Sequence, residues 1–175
     1  MVDLKNNISL EGFTLTNFIN LTQEEKEYVR VWRNDLNVRK WMYTDHIISP
    51  DEHMQFLERL KTDNKNYCWV IKGEDYLGVI ALNKIDYKNK NAYFAIYANP
   101  NSKTIGIGRT LDKLAIKIAF EIFNLHSLRL EVIEDNKGVI NLHRKMGFNE
   151  EGRLKGYVFK DNIWKDVIVM GKINP

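Results

Sequence analysis

In the stretch SKTIGIGRTLDKL, Ser102 to Leu114, Gly106 and Gly108 flank Ile107 and lead straight into an apolar pattern of helical period. A helix that starts here leaves several backbone N–H groups unpaired and aimed at one place, which attracts an anion. Lys103, Thr104, Arg109 and Thr110 add charge or hydroxyl donors, and the two glycines let a phosphate approach the backbone closely. The Gly-Lys-Ser/Thr ending of a nucleotide P-loop is missing, as are the third glycine and following acid of a dinucleotide fold, so these residues taken alone serve equally as a plain helix start. Further on, SLRLEVIED sets Leu128, Leu130 and Val132 against Arg129, Glu131 and Ile133 in strand alternation. Glu131 is a carboxylate that can take a proton, and Glu134 and Asp135 offer the same chemistry nearby. In the first third, Arg33, Trp41, Tyr43, His53 and Phe56 lie close together around two helices; as aromatics, Trp41 and Phe56 suit core packing as readily as a ligand.

The elements that must position these groups follow from the chain's alternating periods. Ile8, Leu10, Phe13 and Leu15 alternate as in a strand; Thr22 with Glu25 forms a capping box that opens a helix through Trp32, stopping near Asn34-Asp35. Ser49-Pro50-Asp51-Glu52 starts a second helix with proline in its first position. YCWVIK, YLGVIALNKI and AYFAIYA follow, linked so briefly that they must form an antiparallel meander. The helix from Gly106 to Phe123 is a crossover to the Glu131 strand, a short helix over Lys137–Lys145 is capped by Gly147, and two strands end the chain around Gly152–Phe159 and Trp164–Lys172. The order predicts one α/β domain over residues 1–175.

Composition sets the surroundings. The 26 basic and 23 acidic residues leave +3, too small an excess for nucleic-acid binding to be expected, yet no barrier to an anionic small molecule. A single cysteine, Cys68, excludes an internal disulfide framework and a cysteine-based zinc cluster; no metal is expected. The start MVDLKNNISL lacks the pattern of a signal peptide, and Lys117 and Glu121 interrupt the most apolar segment, so a cytoplasmic protein with no membrane partner is expected.

AYFAIYANP, KTIGIGRTL, RLEVIEDN and NKGVINLHRKMGF, in that order and spacing, resemble the GNAT superfamily of acetyl-CoA-dependent N-acetyltransferases over most of the chain. The resemblance implies a single-domain GNAT fold, a mixed, mostly antiparallel sheet of about seven strands with helices on both faces. It implies acetyl-CoA as cofactor, with its pyrophosphate on Lys103-Thr104-Ile105-Gly106-Ile107-Gly108, where lysine replaces the usual glutamine or arginine, and on Arg109 and Thr110. The strands holding Ile96 and Val132 are implied to splay, so that the pantetheine arm bonds to backbone near Ile96, Tyr97 and Ala98, which also supply oxyanion donors. Asn136, Asn141 and Arg144 of the block Asn136–Phe148 join the cofactor set, and His143 stands where the family has tyrosine, as the acid that protonates the coenzyme A thiolate. Glu131 becomes the base for the amine.

WRN, WMY, EHMQFL, HSLRLEV and EGRLKG further resemble the enzymes of pseudaminic acid biosynthesis that acetylate the 4-amino group of a UDP-linked 4-amino-4,6-dideoxy-N-acetylaltrosamine. Such an acceptor implies an aromatic plate for uracil, a cation such as Arg33 or Lys84 for the diphosphate and an apolar floor for the 6-deoxy sugar, drawn from Arg33, Trp41, Tyr43, His53, Phe56, Asn83, Lys84 and Tyr97. Two rival functions stay open: an N-terminal acetyltransferase of the ribosomal-protein type, which needs a peptide groove, and a non-catalytic module of the same fold. A homodimer is also open.

Overall fold

The computed structural model describes residues 4–175; the first three residues of the start read as lacking a signal peptide lie outside them. The chain runs β1 (Ile8–Leu10), β2 (Phe13–Asn17), a 3₁₀ turn (Phe18–Asn20), α1 (Gln23–Asn34), α2 (Leu36–Arg39), α3 (Pro50–Thr62), β3 (Tyr67–Lys72), β4 (Tyr76–Asp86), β5 (Asn91–Ala98), α4 (Ile107–Lys117) with a π-helical end (Ile118–Ile122), β6 (Ser127–Ile133), α5 (Lys137–Lys145), β7 (Asn149–Lys160) and β8 (Ile163–Ile173). The first apolar alternation is two strands: Glu11 and Gly12, both at positive φ, fold it into a hairpin, which brings the sheet to eight strands.

Both halves of the α1 capping box form, Thr22 N–H donating to Glu25 Oε2 at 2.9 Å and Glu25 N–H to Thr22 Oγ1 at 3.2 Å. Ser49 caps α3 by accepting from Glu52 N–H, with Pro50 in the first turn. In the sheet, ordered β1-β2-β3-β4-β5-β6-β8-β7, every pairing is antiparallel except β5 with β6. The α4 crossover makes that one parallel pair.

Strand alternation sorts the side chains onto two faces. Trp69, Ile71, Ile80, Leu82, Phe94, Leu128 and Leu130 pack with Leu111, Leu114, Ala115 and Ile118 of α4 and Ile140 of α5. Cys68, Val70 and Val79 pack on the other face with Val29 and Trp32 of α1 and Leu57 and Leu60 of α3. Helices therefore cover both faces of the mixed sheet, as expected. Among the described residues no helix is long and apolar enough to cross a membrane, and no three potential metal ligands come together.

Candidate active site

The parallel pair β5–β6 opens after three residue pairs. Asn91, Ala92 and Tyr93 face Ser127, Leu128 and Arg129; beyond them Phe94–Ala98 stays paired to β4 and Leu130–Ile133 to β8, but not to each other. Between the diverging strands lies a cavity of about 390 Å³, lined by Val38, Trp41, Met42, Ile96, Ala98, Gly108, Leu111, Glu131, Asn136, Val139 and His143 among others. Glu131 and His143 reach it from opposite faces of the sheet. Glu131 alternates away from Leu130 and Val132 toward the α1–α3 side, whereas His143 belongs to α5 and packs on Phe94 and Phe148.

Glu131 accepts a hydrogen bond of 2.5 Å from the Tyr43 hydroxyl. Burial, and then the hydrogen bond to Glu131, push the Tyr43 phenol far up, so it stays a donor and leaves Glu131 lone pairs for other protons. The Tyr43 ring rests edge-on against Tyr157 of β7. Its loop is tied from both ends: Arg33 donates to Thr44 O, Arg39 to Asp45 O, and the buried Lys160 to Asp45 Oδ2 at 3.2 Å.

His143 is tied from behind. Its Nδ1 lies 2.7 Å from Asp112 Oδ2, and both side chains are buried. Asp112 on α4 escaped the sequence reading, although it shares a helical stripe with the buried Ala115 and Ala119, an unusual place for a carboxylate.

A second cavity, also about 390 Å³, opens on the α1–α3 face and meets the first at Met42, Ala95 and Tyr97. Arg33, His53, Phe56, Asn83 and Tyr97 line it, with Arg59 and Glu52. Arg33 Nη1 and His53 Nε2 are buried without a hydrogen-bond partner. Burial depresses both groups' affinity for a proton, and His53 falls below its usual 6.5. Glu52 bonds to His46 at 2.9 Å.

Most of the anticipated acceptor residues therefore share one cavity, and three do not. Trp41 lines the first cavity beside Glu131. Tyr43 is engaged with Glu131 itself. Lys84 is a correction: it is exposed at positive φ, its amine lies over the Tyr93 ring, and it borders a separate hollow with Lys65 and Asp86, because the β4 irregularity after Asn83 turns it away.

Of the anticipated cofactor residues, Ile96, Tyr97, Ala98, Gly108 and Asn136 border the first cavity. Gly106 takes φ of +78° as the N-terminal cap of α4, where no side chain caps the helix, so its first-turn N–H groups face outward. A Cβ on Gly108 would stand 2.9 Å from Leu142 Cδ2. Lys103, Thr104, Ile105 and Arg109 are exposed around this turn, and Thr110, partly buried, directs its hydroxyl to Gly106 O. Asn141 and Arg144 pair with each other on the exposed side of α5, away from the cavity.

Residues 17–149 match the acetyltransferase (GNAT) domain family. The chain belongs to it. Acetyltransferase PseH of Campylobacter jejuni (serotype O:23/36, strain 81-176) is 34% identical over 135 residues, covering 77% of this chain and 83% of that protein. The spermidine N(1)-acetyltransferase of Vibrio cholerae is 27% identical over 84% of this chain and 86% of its own. Among solved structures, the Vibrio cholerae spermidine N-acetyltransferase in complex with CoA and spermine superposes with a TM-score of 0.85 at 26% identity, covering 94% and 96% of the two chains. Campylobacter jejuni PseH superposes with a TM-score of 0.71 at 24% identity, covering 94% and 99%. The protein is an N-acetyltransferase, and acetyl-CoA is its acyl donor.

Its own residues suit that donor. The backbone of Phe94–Ala98, open toward β6, can take an extended arm as a further strand would, and the uncapped turn at Gly106–Arg109 offers N–H donors of the kind that bind a pyrophosphate. Coenzyme A brings the acetyl group as a thioester.

Proposed function

We propose that the chain acetylates the 4-amino group of a UDP-linked amino-dideoxy sugar by direct transfer, with Glu131 as base for the amine and His143 as acid for the thiolate. The amine approaches from the second cavity, and Glu131, kept in place by Tyr43, takes its proton directly or through water. Lys103, Thr104, Ile105, Gly106, Ile107, Gly108, Arg109 and Thr110 hold the pyrophosphate at the start of α4, and the backbone of Ile96–Ala98 carries the oxyanion.

The observation that carries the choice of acceptor is the orphan donor Arg33 Nη1, buried in the cavity that adjoins the Glu131 cavity at Met42, Ala95 and Tyr97. Buried donors without partners are costly, and an anionic diphosphate relieves that cost. A polyamine acceptor, as the spermidine enzymes' names indicate for those proteins, would instead require carboxylates. In this cavity the one carboxylate, Glu52, is already bound to His46. The 34% identity to PseH and the motifs shared with UDP-amino-sugar acetyltransferases support the same choice.

Calorimetric titration tests it. UDP should bind the wild-type protein, Arg33→Met should weaken UDP by at least about tenfold, and Arg33→Lys, which loses the planar fork, should recover only part. Spermidine binding tightly to the same cavity, or UDP binding untouched by Arg33→Met, would contradict the reading.

A further inference from the structure

The acid side of the site rests on a buried carboxylate that has a single polar contact among the described residues. Asp112 Oδ2 meets His143 Nδ1 at 2.7 Å, while its Oδ1 has no partner. Asp112 is fully buried and His143 is 3% exposed, between the edges of Phe94 and Phe148. A carboxylate only accepts, so the ring must place a proton on Nδ1. The nitrogen left for the cavity that His143 lines with Glu131 is Nε2. Neutral, the ring offers the cavity a lone pair; charged, it offers an N–H and Asp112 balances the charge.

The remaining charges near the ring are few. Glu131 of β6 lines the same cavity, Lys172 of β8 reaches across Phe148, and Arg144 and Lys145 of α5 are exposed; Phe94 brings no charge from β5. Asp112 is thus the ionic group in direct contact with the imidazole.

We propose that Asp112 is the positioning residue of the acid: it fixes His143 as the Nδ1–H tautomer, so that the proton given to the departing sulfur comes from Nε2 of the imidazolium. The proposal rests on the acetyl-transfer reading above. In that reaction the amine nitrogen bonds to the acetyl carbon, the carbon–sulfur bond breaks with its electron pair left on sulfur, and the amine proton leaves through Glu131. His143 gives its Nε2 proton to the sulfur and ends neutral, its Nδ1 proton still directed at Asp112; solvent restores the second proton.

Nitrogen-15 spectra of the imidazole in ligand-free protein read the tautomer directly, at a pH where the ring is neutral. Nδ1 should be pyrrole-like and Nε2 pyridine-like. Asp112→Asn should mix or invert that pattern and lower kcat about 10- to 100-fold, with KM for acetyl-CoA changed less than about twofold. A pyrrole-like Nε2 in the wild type would overturn the proposal, and so would an Asp112→Asn protein with normal kcat, whatever its melting temperature. If Asp112→Asn does not fold, the wild-type spectrum decides alone. The spectrum needs neither acyl donor nor acceptor, so failure of the acetyl-transfer reading, seen as no transfer to any amine, stays distinguishable from failure of the dyad.

Discussion

Glu131 and Asp112 are both carboxylates, and one was legible in the sequence while the other was not. Strand parity sets Glu131 apart from Leu130 and Val132, so its face could be read from a period of two. Asp112 matters because of a partner 31 residues away, and no local pattern encodes that pairing. Glu131→Gln keeps the shape and the bond from Tyr43 but loses the proton acceptor. Turnover should fall by about 10²–10⁴ with acetyl-CoA affinity kept, measured by steady-state kinetics beside calorimetry. His53 adds a pH signature of folding. Burial, the largest cause, holds its folded-state pKa below the 6.5 of an unfolded chain, so between the two values the unfolded state binds more protons. Stability from this group is complete above about 6.5 and declines as pH falls through that window. Urea melts across the window should show that slope in the wild type and a flatter one in His53→Gln.

At the scale of elements, the capped helices, the central meander and the α4 crossover were readable from local periods. The divergence of β5 and β6 was not: AYFAIYA and SLRLEVI carry ordinary strand patterns along their whole length, yet pairing stops at Tyr93 and Arg129. Only the resemblance implied it. The Glu11-Gly12 turn is the reverse case, a local signal inside one run of alternating apolar residues that the wider pattern concealed. The start of α4 is the element most open to test. Gly108→Asp places a carboxylate at the anion-binding turn and a side chain against Leu142, which stands 2.9 Å from the position a Cβ would take. Acetyl-CoA affinity should drop by about 100-fold, near 3 kcal/mol. A folded Gly108→Asp protein with unchanged affinity by calorimetry would remove the pyrophosphate from this turn.

On the whole-molecule scale, the near balance of 26 basic and 23 acidic residues says little about the acceptor, because the charges that matter are local. Two cavities meet at Met42, Ala95 and Tyr97, one open along the unpaired edges of the sheet and the other holding the unsatisfied donor Arg33 Nη1. On the proposed reading, this division puts donor and acceptor on opposite sides of one opening, with Glu131 lining the donor's side. The same fold in relatives named for spermidine shows that the scaffold alone does not choose the amine. Mass spectrometry after incubation with acetyl-CoA and, in parallel, a panel of UDP-4-amino sugars, spermidine and a peptide with a free N-terminus tests the central claim most directly. The account predicts a single added acetyl group on a UDP-4-amino-dideoxy sugar, with kcat/KM at least about 100-fold above the polyamine and the peptide. Preferential acetylation of spermidine or of the peptide would contradict it.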